Sequence, residues 1–136
     1  MGHAVKRGGL LHPQLLQVVG SMGHLDELIV CDAGFPIPPN VDRVDLAYRP
    51  GAPSFADVLE VLAGELVVEA FVTASEAGPL VSKQVEALFP NARGEQLTHD
   101  ELKRRSTRAR AVVRTGECTP YANVVLISGV DFPSQP

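Results

Sequence analysis

Short apolar runs that stop abruptly in polar turns constrain this chain more than any other feature. Leu28-Ile29-Val30-Cys31 runs straight into Asp32-Ala33-Gly34, and Val124 to Ser128 begins directly after Tyr121-Ala122-Asn123. Such runs have the length of buried strands and are far too short to cross a bilayer, which needs roughly 18 to 20 apolar residues in one helix. Between them the apolar period changes. Leu15, Leu16, Val18, Val19 and Met22 recur at helical spacing behind Pro13, a residue suited to a first helical turn. Val81, Val85, Leu88 and Phe89 repeat that pattern behind Gly78-Pro79. Strands alternating with helices make the class α/β, a sheet with helices on both faces.

The remaining elements follow from punctuation. Arg43 to Tyr48 alternates polar and apolar residues and reads as a second strand at an edge. Ser54 caps a helix through Leu62, with Asp57 three residues on, and Gly64 ends it. Leu66 to Thr73 is a third strand. Thr98-His99-Asp100-Glu101 is a capping box that opens a basic helix reaching about Arg108. Ala111 to Val113 and Val124 to Ser128 are the last two strands, bracketing the loop Arg114 to Asn123. A length of 136 residues is one domain's worth, so residues 1–136 are expected to form a single domain.

Composition narrows the partners. Sixteen acids against twelve Lys and Arg leave a formal charge of −4. That is a poor surface for nucleic acid despite the basic cluster Lys103-Arg104-Arg105, Arg108 and Arg110. A nucleic-acid module built on that helix would bind with steep salt dependence. The faintly basic N-terminus is interrupted by His12, Pro13, Gln14 and Gln17 and does not read as a secretory signal. Cys31 and Cys118 stand 87 positions apart with no CxxC pair, as expected of reduced thiols in the cytoplasm. With no Trp and seven Phe and Tyr, any small polar ligand must be oriented mainly by hydrogen bonds.

Three loops gather polar groups beside tight turns: Gly23 to Glu27, Asp32 to Pro36 and Gly116 to Asn123. In an α/β sheet, ligands bind beyond the strand ends. Histidine is the side chain type whose unperturbed pKa lies nearest neutrality, so His24 is the natural proton donor or acceptor, with Asp26 at hand to orient it. Its alternative role is a cap at a helix C-terminus. Asp32 could take hydrogen bonds from hydroxyls or simply close an Asx turn. Tyr121 and Asn123 are two apart and could share one space, or serve the turn alone. His99 and Lys103 lie one turn apart on a helix face, able to meet a polyol or an anion, or only solvent. His24, Asp26, Asp32 and His99 lack metal-ligand spacing, so no metal is expected. Cys31 sits among apolar neighbours and reads as an inert, buried thiol.

At these residues the chain resembles the ribose pyranase and fucose mutarotase family. Met22 through Pro39 and Val113 through Asn123 carry the likeness, with Gly51 to Phe55 and Thr98 to Lys103 between them in the same order. The runs Cys31-Asp32-Ala33-Gly34-Phe35-Pro36-Ile37-Pro38 and Glu117-Cys118-Thr119-Pro120-Tyr121-Ala122-Asn123 look like the ribose branch. The fucose branch typically has another residue at Gly34 and lacks the Cys-Thr-Pro run. Pro90 to Gln96 departs from the pattern, being short and Gly-containing where relatives carry a clearer strand, and so does Gly8 to Leu11.

The resemblance implies an α/β/α sandwich with a mixed sheet. It also implies a cofactor-free cytoplasmic isomerase that interconverts ring forms of a free sugar, D-ribose first among them, for a kinase that takes the furanose. Family members are rings, a pentamer or two stacked pentamers forming a decamer, whose sites a neighbouring subunit completes. By similarity His24 is the proton donor, and Asp32, His99, Lys103, Tyr121 and Asn123 hold sugar hydroxyls. A positive mean hydropathy of +0.08 in so short a chain fits subunit contact. Two other readings remain: a fucose-type mutarotase that exchanges α and β anomers, and a sugar-binding module without catalysis.

Overall fold

The computed structural model describes residues 4–131. Six strands form one sheet: β1 (Glu27–Cys31), β2 (Asp42–Asp45), β3 (Val68–Ala74), β4 (Arg93–Leu97), β5 (Ala111–Arg114) and β6 (Val124–Ser128). Their order across the sheet is β2-β5-β1-β6-β3-β4. β1 and β2 each pair with β5 in parallel, β3 pairs with β4 in parallel, and β6 runs antiparallel to both β1 and β3. Five strands therefore point one way and β6 alone points back. One edge of the sheet collects the C-terminal ends of β1, β3, β4 and β5 together with the start of β6.

Because side chains alternate along a strand, β1 feeds two cores. Leu28 and Val30 face α1 (Pro13–Ser21), α2 (Phe55–Ala63) and α3 (Pro79–Leu88), whose Leu15, Phe55, Leu59, Leu62 and Val85 are buried with them. Ile29 and Cys31 face the other side, where Val112, Val125, Phe35 and Leu102 of α4 (His99–Arg105) cover them. A single 3-10 turn, Ser106–Arg108, continues α4. Strands covered on both faces read as continuous apolar runs, which is why β1 and β6 stand out in the sequence.

The caps form as expected. Ser54 accepts from the Asp57 N–H, and Thr98 and Glu101 complete a reciprocal capping box. β2 is an edge strand, but it ends at Asp45, so only the first half of the alternating stretch Arg43 to Tyr48 lies in the ladder. β4 is the element that periodicity does not reveal. Arg93 to Gln96 are exposed, so no apolar alternation marks them, and the ladder with β3 holds them extended. Gly94 is required there: a Cβ would lie 2.7 Å from the Phe71 ring.

Candidate active site

The C-terminal edge of the sheet gathers four of the expected site residues. Asp32 directly follows β1, and its backbone N–H donates to Asn123 Oδ1 at 2.8 Å. Asn123 is fully buried just ahead of β6. Asp32 Oδ1 accepts from the Gly34 N–H at 3.0 Å, so the Asx turn and the site use one carboxylate. Burial pushes the Asp32 carboxyl above its ordinary value, and the Gly34 N–H, the Asn123 side chain and nearby His99 offset that only in part.

His99 opens α4, and its backbone N–H donates to both Glu76 oxygens at 2.9 and 3.1 Å. Glu76 follows the end of β3, so one strand end positions the first residue of a helix that follows another. The His99 ring meets Tyr121 edge-on at 5.0 Å between centroids and Phe35 at 6.0 Å. Tyr121 has φ +62°, a left-handed conformation uncommon for a residue with a side chain. Two buried polar atoms here, His99 Nδ1 and Asn123 Nδ2, have no hydrogen-bond partner among the described residues. Buried polar atoms are paired in folded proteins as a rule, with protein groups or with water, so these two are the groups of the cluster able to take a further polar partner.

Glu117 braces this edge from behind. Its Oε1 accepts from the Phe55 N–H at the start of α2, and its Oε2 accepts from the Thr119 hydroxyl. Burial alone would raise its pKa, but these donors hold it below the ordinary value. Gly116 is pressed against the Arg49 and Ala52 carbonyls, where a Cβ would come within 2.6 Å and 2.5 Å of the two oxygens. The Lys103 ammonium pairs with Asp100 on its own helix at 3.3 Å. Cys31 is buried, and burial with the adjacent Asp32 charge raises its thiol to about 12, which makes it inert.

His24 is at the other edge. It precedes β1, which spans about 16 Å at ~3.3 Å per residue, so one chain does not bring His24 to Asp32. Its Nε2 lies 2.7 Å from Glu69 Oε1 on β3. Asp26 does not orient it. The Asp26 carboxylate accepts from the Gly23 N–H at 2.8 Å and pairs with Arg110 at 3.6 Å. The helix-cap role falls too, because the Met22 N–H closes α1 onto Val19. His24 and Asp26 are thus separated from Asp32 and His99, and these four are not gathered as a metal site would need.

The basic helix is largely occupied. Arg105 and Arg108 both bind Glu27, a carboxylate only 10% exposed. Burial would raise the Glu27 pKa, but the two guanidiniums hold it below its ordinary value. Glu69, Glu76 and Phe35 were not singled out as site residues by local spacing, since their partners are far along the chain. For Glu69 a signal was present: it is one acid inside the apolar stretch Leu66 to Val72.

The model of the RbsD / FucU transport protein family matches residues 5–131. The chain belongs to that family. It is 51% identical over 132 residues to the D-ribose pyranase of Variovorax paradoxus, covering 94% of this chain and all of that relative. Among solved structures, Bacillus subtilis RbsD complexed with D-ribose superposes with a TM-score of 0.88 at 40% identity, covering 94% of this chain and all of that one. The fucose mutarotase of Streptococcus pneumoniae in complex with L-fucose reaches a TM-score of 0.75 at 21% identity, over 97% of this chain and all of that one, a likeness of fold alone.

Proposed function

We propose that the chain is a D-ribose pyranase, an isomerase that opens and recloses the ring of free D-ribose and so exchanges pyranose for furanose. The observation that carries this is end-to-end likeness at 51% identity to a D-ribose pyranase. The likeness to RbsD complexed with D-ribose supports the substrate. The unpaired donors and acceptors beside Asp32 supply groups that suit hydroxyls. A site built to hydrogen-bond hydroxyls rejects ligands that leave its buried groups unpaired.

The chemistry needs an acid and a base and little else. In ring opening, His24 gives a proton to the ring oxygen as the C1–O bond breaks. The anomeric hydroxyl loses its proton to a base, for which water suffices, and C1 becomes the aldehyde carbon. Rotation brings the 4-hydroxyl to C1. On reclosure the 4-hydroxyl oxygen bonds C1 and gives its own proton to His24, while the base returns its proton to the carbonyl oxygen, leaving no net change in protons. Asp32, His99, Tyr121 and Asn123 hold the hydroxyls meanwhile, with Lys103 reaching in from α4 once a sugar is bound. Positioned proton transfer is worth ~10² to 10⁴-fold, enough for a hemiacetal that already opens slowly in water.

His24 and the sugar-holding cluster occupy opposite edges of one sheet, so the working site is made by two copies of the chain. The contact is head to tail, the start of β1 in one copy against the end of β1 in the next. Such contacts close into rings. We assign the chain, as one domain over residues 1–136, to a pentamer or a decamer in the cytoplasm, where the free thiols Cys31 and Cys118 stay reduced. Gel filtration with light scattering is expected to give a species well above 14.5 kDa. A monomer overturns the shared site.

The test of function is proton NMR on equilibrium D-ribose, following magnetisation transfer between pyranose and furanose signals. Protein-dependent transfer that disappears in His24→Ala is expected. Transfer restricted to α and β pyranose would make the chain a fucose-type mutarotase. Ligand-induced shifts without transfer for any free sugar would make it a binding module.

A further inference from the structure

We propose that Glu69 is the positioning residue for His24: it holds the imidazole Nε2–H and thereby makes Nδ1 the nitrogen that exchanges a proton with the sugar. This rests on His24 being the acid. The contact is direct, with 2.7 Å between His24 Nε2 and Glu69 Oε1. It joins residues 45 positions apart, so no local turn produces it.

The backbone on both sides is built around this pair. β3 pairs with β6 through Val68↔Ser128 and then Ala70↔Ile127, so Glu69 is the extra residue of a β-bulge. A bulge re-aims a side chain that regular alternation would point elsewhere. Opposite it, Gly129 leaves the room that the Glu69 stem occupies. A Cβ on Gly129 would lie 3.1 Å from the Glu69 Cβ and 3.4 Å from Val67. On the histidine side, Leu25 takes φ +73°, a strained choice for a leucine, and its N–H donates to the Ser128 carbonyl. The Ser128 hydroxyl donates to the Gly23 carbonyl, and the Asp26 carboxylate receives the Gly23 N–H. The loop that carries His24 is therefore clamped to β6, with the ring over the bulge of β3.

Other charged groups near this loop are committed elsewhere. Asp26 and Arg110 bind each other, and Arg105 and Arg108 bind Glu27. Glu69 is the carboxylate left to meet the ring. A histidine whose one nitrogen is held by a carboxylate presents the other in a fixed orientation and tautomer, and the carboxylate stabilises the imidazolium. In the acid step, Nδ1–H passes its proton to the ring oxygen while Nε2–H stays on Glu69. On reclosure, Nδ1 takes the proton of the attacking 4-hydroxyl, and the dyad is restored.

The test compares Glu69→Gln, Glu69→Ala and His24→Ala in the full-length assembled protein, measuring D-ribose exchange against sugar concentration. Nitrogen NMR of histidine-labelled protein reads the His24 tautomer, with His24→Ala assigning its signals among the four histidines. Glu69→Ala is expected to lower kcat roughly 10- to 100-fold with KM unchanged, and to abolish the preference for the Nε2–H tautomer. Glu69→Gln keeps an acceptor oxygen of the same size, so it should retain the tautomer and lose rate by less. If Glu69→Ala fails to assemble, Glu69→Gln still decides through its kcat. Unchanged kcat and tautomer in both variants, with His24→Ala inactive, would overturn the role of Glu69 alone. An active His24→Ala would overturn the acid on which it rests.

Discussion

The two edges of the sheet that β1 joins are built on opposite terms. At the C-terminal edge, Asp32, His99 and Asn123 are drawn inward, two of their polar atoms go unpaired, and burial works against the Asp32 charge. At the N-terminal edge, His24 and Glu69 are paired to each other and remain 49% and 39% exposed. One edge keeps polar atoms without a partner among the described residues; the other closes its histidine onto a carboxylate. Each also carries a non-glycine residue at positive φ beside its key side chain, Tyr121 above and Leu25 below. Backbone strain of about 1–3 kcal/mol is thus held at both edges. The contrast teaches that the proposed acid and the proposed sugar-holding groups are set by different ends of the same strand.

The largest effect available tests that split directly. His24→Ala and His99→Ala are each expected to lose most of the exchange rate. Co-expressed, they should regain activity, because roughly a quarter of head-to-tail sites then combine an intact His24 with an intact His99. Absence of recovery in a mixed assembly would mean that both halves act within one chain. Asn123→Ala comes next. It removes the partner of the Asp32 N–H along with the amide proposed to hold a sugar hydroxyl, so D-ribose affinity should fall by about 1–3 kcal/mol in titration calorimetry while the His24 tautomer stays put.

Glu27→Gln probes the frame between the edges. It leaves two guanidiniums without their carboxylate and should cost about 1–2 kcal/mol in urea unfolding, the partial exposure of Arg108 reducing the effect. The Glu27 pKa is lowered from 4.5, so its contribution is complete above that pH and is lost as pH falls through the lowered value. Wild type and variant should therefore converge in acid. Asp32→Asn is the smallest and has the opposite sign. The Asp32 pKa is raised above 3.8, so its ionised form costs stability at neutral pH, and that cost disappears as pH falls toward 3.8. The variant should melt slightly higher at pH 7, bind ribose more weakly, and lose its stability advantage in acid.

Much of this was legible in the residues themselves. β1 and β6 are apolar because both their faces are covered, and the Thr98 box announces α4 because capping is a local reaction of the backbone. His24, Asp32, Tyr121 and Asn123 could be singled out because turns beside apolar runs carry groups that packing alone does not explain. β4 was not legible, since an exposed edge strand needs no apolar pattern and takes its conformation from β3. Asp26 misled, because the nearest acid in sequence turned inward to the Gly23 N–H, and the acid that meets His24 arrives from β3.

The sequence by itself determined where strands, caps and turns fall, and through its motifs the family, because those depend on neighbours a few residues apart. Which end of the sheet each turn occupies was decided only by the tertiary structure. Five strands point one way and β6 runs back between β1 and β3, which carries Asn123 to Asp32 and Ser128 to the loop of His24. The same crossing brings Glu69 under His24 and Glu76 to His99. These pairings join residues 23 to 105 positions apart, and hydrogen bonds over such spans follow from strand order, which no local pattern encodes.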